Sequence, residues 1–106
     1  MPAGDADNGT MAATLSDSEI EQALVRLPGW TREGDEIVKW YELVSFPVAI
    51  ELVGRIAEAA EAADHHPDLD IRYRRVRVAL STHDAGGLTQ KDVDLATQIE
   101  AMVPDA

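Results

Sequence analysis

Four breaks divide this 106-residue chain: Pro28-Gly29, Gly34-Asp35, Pro67 and Gly86-Gly87. Each stops regular structure, because proline lacks the N–H that a helix needs and glycine bends where other residues resist. The stretches between them have room for one or two short elements, and the spacing of their apolar residues says which. Before Pro28, Ser16 caps a helix and Glu19, three residues on, completes a capping box, with Ile20, Ala23, Leu24 and Leu27 on one face. After Gly29, the run Trp30-Thr31-Arg32-Glu33, a Gly34-Asp35 turn and the alternating segment from Glu36 to Val44 predict a β-hairpin.

The pattern then repeats in kind. A second helix is expected from about Pro47 to Asp64, capped by Ser45, with Phe46, Ile50, Val53, Ala57 and Ala60 as its buried stripe. Leu69, Ile71 and Tyr73 alternate, Arg74-Arg75 is the expected turn, and Val76, Val78 and Leu80 alternate on the return strand. Thr89, with Asp92 in the box position, caps a last helix whose inner face is Leu95, Ile99 and Met102. The order α-β-β-α-β-β-α predicts an α+β fold, a four-stranded antiparallel sheet covered on one face by three helices. The other face or the sheet edges are then free for assembly. One domain is expected over residues 15–106, preceded by a flexible tail at 1–14 in which Met11 offers an alternative start.

Charge and composition remove whole classes of function. Twenty acidic residues against nine basic give a net charge of −11, which argues against a nucleic-acid or anionic-membrane binder. Arg72, Arg74, Arg75 and Arg77 gather four of those nine cations in six positions, either as a solvated hairpin or as a site for an anionic partner. With no cysteine, disulfides, zinc–thiolate sites and thiol catalysis are excluded. No apolar run approaches the ~20 residues that span a bilayer, and no export signal is readable at the start. A cytoplasmic protein is the expectation.

All three histidines lie in two short polar segments, Glu61-Ala-Ala-Asp64-His65-His66-Pro67 and Ser81-Thr82-His83-Asp84. Histidine exchanges a proton near working pH, so gathered imidazoles point to proton transfer. Glu61 and His65 stand four apart, the spacing at which a carboxylate on a helix face holds an imidazole in one tautomer. His66 then points elsewhere. Surface histidines and a metal site remain as other readings, although two adjacent histidines without cysteine make a poor zinc set. Ser81 and His83 are too close along a strand to form a nucleophile–base pair, and Gly86-Gly87 lacks the lysine of a phosphate loop. Asp92 reads as a helix cap. Trp30, at a strand start after Pro28-Gly29, is the aromatic best placed to line a pocket; Trp40, Tyr41 and Tyr73 read as core or sheet-face residues.

Taken together, Glu61-x3-His65-His66-Pro67, Tyr73, Ser81-Thr82-His83-Asp84, Gly87-Leu88-Thr89 and Asp92 resemble the pterin-4a-carbinolamine dehydratases, over a stretch from Leu27-Pro28-Gly29-Trp30 to about Glu100. The resemblance implies a four-stranded sheet with three helices. It also implies dehydration of 4a-hydroxytetrahydropterin to quinonoid dihydropterin, in recycling of the tetrahydrobiopterin cofactor of aromatic amino-acid hydroxylases. His65 and His83 would be the acid–base pair, with His66 orienting the pterin and Glu61 supporting His65. Asp64, Ser81, Thr82 and Asp84 would line the ring. No metal and no cofactor are implied, and a homodimer or homotetramer is. One departure is Leu69-Asp70, where the family often carries a bulky aromatic pair at the pocket rim or assembly edge. The alternative is a non-enzymatic dimerisation or assembly-factor module on the same fold; its relatives tend to lose parts of the histidine motif, which is whole here.

Overall fold

A computed structural model describes residues 13–104; residues 1–12, most of the expected tail, and 105–106 lie outside the described residues. The order is α1 (Asp17–Val25), β1 (Thr31–Glu33), β2 (Glu36–Glu42), α2 (Phe46–Ala63), β3 (Asp68–Arg72), β4 (Arg75–Leu80), a 3₁₀ turn (His83–Ala85) and α3 (Gln90–Met102). All strand pairs are antiparallel and the sheet order is β1-β2-β4-β3. The expected α+β architecture is therefore the observed one.

The sheet has one apolar face. Ile37 lies opposite Leu80, Lys39 opposite Val78, Tyr41 opposite Val76, and on the far side Leu69 opposite Val78. Side chains alternate along a strand, so these residues turn together toward the helices. Ile37, Tyr41, Val76, Val78 and Leu80 share a core with Ile20 of α1, Leu27 just after it, Leu52 and Ile56 of α2, and Leu95 and Ile99 of α3, and Leu69 packs against that core. Both anticipated capping boxes are present, Ser16 with Glu19 and Thr89 with Asp92, and Ser45 caps α2 through Val48 N–H. Such a cap contributes about 1 kcal/mol.

Two details of the sequence reading are corrected. The buried residues of α2 are Ala49, Leu52, Ile56 and Ala60, while Phe46 and Ile50 of the expected stripe are 44% and 41% exposed. This helix carries two neighbouring apolar stripes, and periodicity alone does not say which one meets a sheet. The second hairpin turns at Tyr73-Arg74, because Arg72 pairs with Arg75. Moving the turn to Arg74-Arg75 would keep the same inner face, so alternation cannot separate the two registers. Turn chemistry had to decide, and it was silent. In the first hairpin the left-handed position is Gly34 (φ 63°), whereas in the second it is Tyr73 (φ 55°), a residue that no turn rule favours there.

Candidate active site

The last turn of α2 sets the geometry. Its helix stops because Asp64 adopts the left-handed conformation (φ 51°, ψ 45°). The Asp64 N–H then bonds Glu61 O at 3.2 Å and the His65 N–H bonds Ala60 O at 3.0 Å, the paired closure of a Schellman motif. Past that reversal His65 is off the helix, so the spacing that linked it to Glu61 no longer applies. Glu61 instead bonds His66 Nε2, an exposed pair, and not His65 as expected.

His65 turns inward. Its ring is buried, and Nε2 lies 2.6 Å from Asp92 Oδ1. Asp92 is fully buried at the first turn of α3, where Oδ2 accepts from Thr89 N–H at 2.9 Å and from the Thr82 hydroxyl at 2.8 Å. A buried carboxylate is tolerable only when its oxygens are matched by donors, and here both are. As a carboxylate Asp92 can only accept, so His65 Nε2 carries the proton. That leaves Nδ1 of a neutral ring as its acceptor. The cap seen in the sequence was thus half of Asp92's role. Nothing in Thr89-x-x-Asp92 announces which residue meets the carboxylate's second oxygen.

His83 reaches the same end of the sheet by another route. With Asp68 opposite Ala79, the chain just before β3 and the chain just after β4 emerge side by side. His83 opens the 3₁₀ turn and is exposed, as is Asp84, while Ser81 is half-buried. Asp64 is exposed at the helix exit. Thr82 is buried, with its hydroxyl directed at Asp92. Among the described residues no group of three His, Asp or Glu side chains is placed to hold a metal ion. Trp30, the aromatic expected to line a pocket, is buried in the core, where its indole N–H bonds Glu100 Oε2 at 3.1 Å.

That carboxylate is the centre of a second polar cluster. Glu100 Oε2 also accepts from Lys39 Nζ at 2.7 Å and from the Tyr41 hydroxyl, and Lys39 Nζ donates to Pro28 O at 2.7 Å. Lys39 runs so close past Gly29 (φ 87°) that a Cβ there would lie 2.8 Å from Lys39 Cε. Burial alone would push the Glu100 carboxyl up, but the hydrogen bonds from Lys39, Tyr41 and Trp30 and the lysine charge outweigh it, and its pKa is lowered. Burial, then the bond to Glu100 and its charge, push the Tyr41 phenol far above its ordinary value.

Known proteins resemble this chain along most of its length. Residues 13–102 match the family model described as Pterin 4 alpha carbinolamine dehydratase. A relative from Roseiflexus sp. (strain RS-1), provisionally named pterin-4-alpha-carbinolamine dehydratase, is 61% identical over 93 residues, covering 88% of this chain and all of the relative. One from Nocardia farcinica with the same provisional name is 60% identical over 88 residues, 83% of this chain and 93% of its own. A transcriptional coactivator/pterin dehydratase from Brucella melitensis superposes with a TM-score of 0.83 at 32% identity, covering 86% of this chain and 99% of that one. A pterin dehydratase-like protein identified as a RuBisCO assembly factor in the alpha-carboxysome superposes at 0.59 with 14% identity, over 73% and 89% of the two chains, and shares the fold alone.

Proposed function

This chain belongs to the pterin 4 alpha carbinolamine dehydratase family, and from that membership we propose that it is a dehydratase converting 4a-hydroxytetrahydrobiopterin to quinonoid dihydropterin and water. The C4a–O bond breaks, the 4a-hydroxyl leaves with a proton from His83, and the adjacent ring nitrogen gives its proton to Nδ1 of His65. A C=N bond forms between C4a and that nitrogen, so atoms and charge balance. The carrying observation is the His65–Asp92 contact, which takes up Nε2 and leaves Nδ1 as the acceptor, with no hydrogen-bond partner on it among the described residues. His66, paired with Glu61, orients the pterin, and Asp64, Ser81 and Asp84 border the ring.

The test is stopped-flow absorbance of carbinolamine decay, generated by a phenylalanine hydroxylase, with wild type and His83→Ala. Decay well above the buffer rate, lost in the variant, supports the reading; decay at the spontaneous rate with wild type refutes it. We further place the enzyme in the cytoplasm as a homodimer or homotetramer of one domain over 15–106. Phe46 and Ile50, left exposed on α2, are the apolar surface that assembly would cover. Among the described residues no helix is long and apolar enough to cross a membrane.

One observation favours a second reading, a partner-binding module. Arg72 and Arg75 lie directly opposite on the helix-free face of the sheet, a like-charge pairing that destabilises unless an anion answers it. Arg75 stacks 4.5 Å over Trp40, which is 41% exposed. Arg77 and Arg74, by contrast, meet Glu33, Asp70 and Glu42. Reversing Arg72 and Arg75 to glutamate should abolish binding of an acidic protein partner while sparing turnover.

A further inference from the structure

We infer that Thr82 is a positioning residue that fixes the two proton-transfer histidines relative to each other, and that its hydroxyl is not a pterin ligand. The inference rests on the dehydratase reading for its effect on turnover, but its structural part stands on bond directions alone.

A hydroxyl has one proton to give. Thr82 Oγ1 lies 2.8 Å from Asp92 Oδ2 and 2.8 Å from Thr89 Oγ1. The carboxylate only accepts, so the Thr82 proton goes to Asp92, and Thr82 must then accept from Thr89. Thr89 has therefore spent its own proton, and accepts in turn from Lys91 N–H at 3.2 Å. The chain from Lys91 N–H through Thr89 and Thr82 to Asp92 runs one way only. With Thr89 N–H also on Oδ2, that oxygen takes two donors, and Oδ1 is held toward His65 Nε2. Thr82 and Thr89 are both buried, so water does not compete with the chain.

The backbone of Thr82 holds the other histidine. Its carbonyl accepts from Ala85 N–H at 3.0 Å and Gly86 N–H at 3.1 Å, which closes the turn opened by His83. Its N–H donates to Gly87 O at 3.0 Å, tying that loop to the chain that leads into α3. One residue thus touches the His83 turn through its main chain and, through its side chain, the carboxylate that aims His65. Misplacing a reacting group by about 1 Å can cost on the order of a hundredfold in rate.

The experiment compares Thr82→Val, which keeps the volume and loses the hydroxyl, with Thr82→Ser, which keeps the hydroxyl, in the full chain. Steady-state rates separate kcat from KM, and ¹⁵N chemical shifts of the His65 ring report its tautomer. Thr82→Val is expected to lower kcat by about tenfold or more with KM within about twofold, and to mix the His65 tautomers, while Thr82→Ser restores both. A Thr82→Val enzyme with raised KM and unchanged kcat would make Thr82 a substrate ligand and overturn the inference, as would a serine variant that behaves like valine. Thr82→Ala carries the same expectation if valine prevents folding. If wild type shows no turnover, the dehydratase reading fails by itself, and the ring shifts still decide: an unchanged tautomer in Thr82→Val overturns the positioning role.

Discussion

Asp92 and Glu100 lie eight residues apart on α3, and each carboxylate collects three donors. Their partners separate them. Asp92 receives His65, Thr82 and the backbone of Thr89, and one of these is an imidazole whose second nitrogen has no hydrogen-bond partner among the described residues. Glu100 receives the Trp30 indole, the Lys39 ammonium and the Tyr41 hydroxyl, none of which is an imidazole with a second ring nitrogen. On the proposed dehydratase reading the first set passes a proton onward, while the second holds α3, β2 and the loop after α1 together. Burial of a charged group therefore does not mark a reaction centre. On the proposed reading, what marks it is an imidazole partner with a second ring nitrogen available for proton exchange.

The largest effect expected from this contrast is on rate. His65→Ala should lower dehydratase turnover by about 10²–10⁴-fold, the usual contribution of a proton-transfer group, as read by stopped-flow decay at equal folded fraction. Glu100→Gln should do the reverse: turnover of the folded enzyme stays within about twofold, while urea unfolding shows a loss of ~1–3 kcal/mol from donors left unmatched. Equal loss of rate in both variants would erase the distinction.

Smaller effects lie in the pH limits of stability. The Glu100 pKa is depressed in the folded chain, so its contribution is present above about 4.5, the ordinary value, and is lost as pH falls below it. Glu100→Gln should therefore show a shallower decline of unfolding free energy below that pH than wild type. Tyr41 has the opposite sign. Its phenol is raised in the folded chain, so its contribution is present below pH 10 and fades above it, where the unfolded chain ionises first. Tyr41→Phe should flatten the alkaline limb measured by thermal melting above pH 10.

Much of this molecule was readable before any coordinates. Three helix caps and the breaks at Pro28-Gly29, Gly34-Asp35 and Pro67 act within a few residues, and each stands where local chemistry put it. What escaped was decided at a distance. The exposure of Phe46 and Ile50 depends on which stripe of α2 the sheet takes. The turn at Tyr73 depends on a register that alternation leaves open. Glu61 missed His65 because Asp64 reverses the chain between them, and no spacing rule carries across such a reversal. The Asp92–His65 bond joins residues 27 apart in sequence, and the sequence showed only the local half of it.

The most direct test of the central claim is Asp92→Asn. Thr82 and Thr89 N–H both donate to the Oδ2 position, so the asparagine oxygen is drawn there and its amide nitrogen faces His65 Nε2. The ring must then accept at Nε2 and carry its proton on Nδ1, the wrong tautomer for a base, as in the Asp→Asn change of a serine-protease triad. Single-turnover carbinolamine decay at matched folded fraction should fall by at least about a hundredfold, with the ¹⁵N shifts of His65 showing the switched tautomer. Wild-type decay in a variant whose His65 has switched would contradict the account.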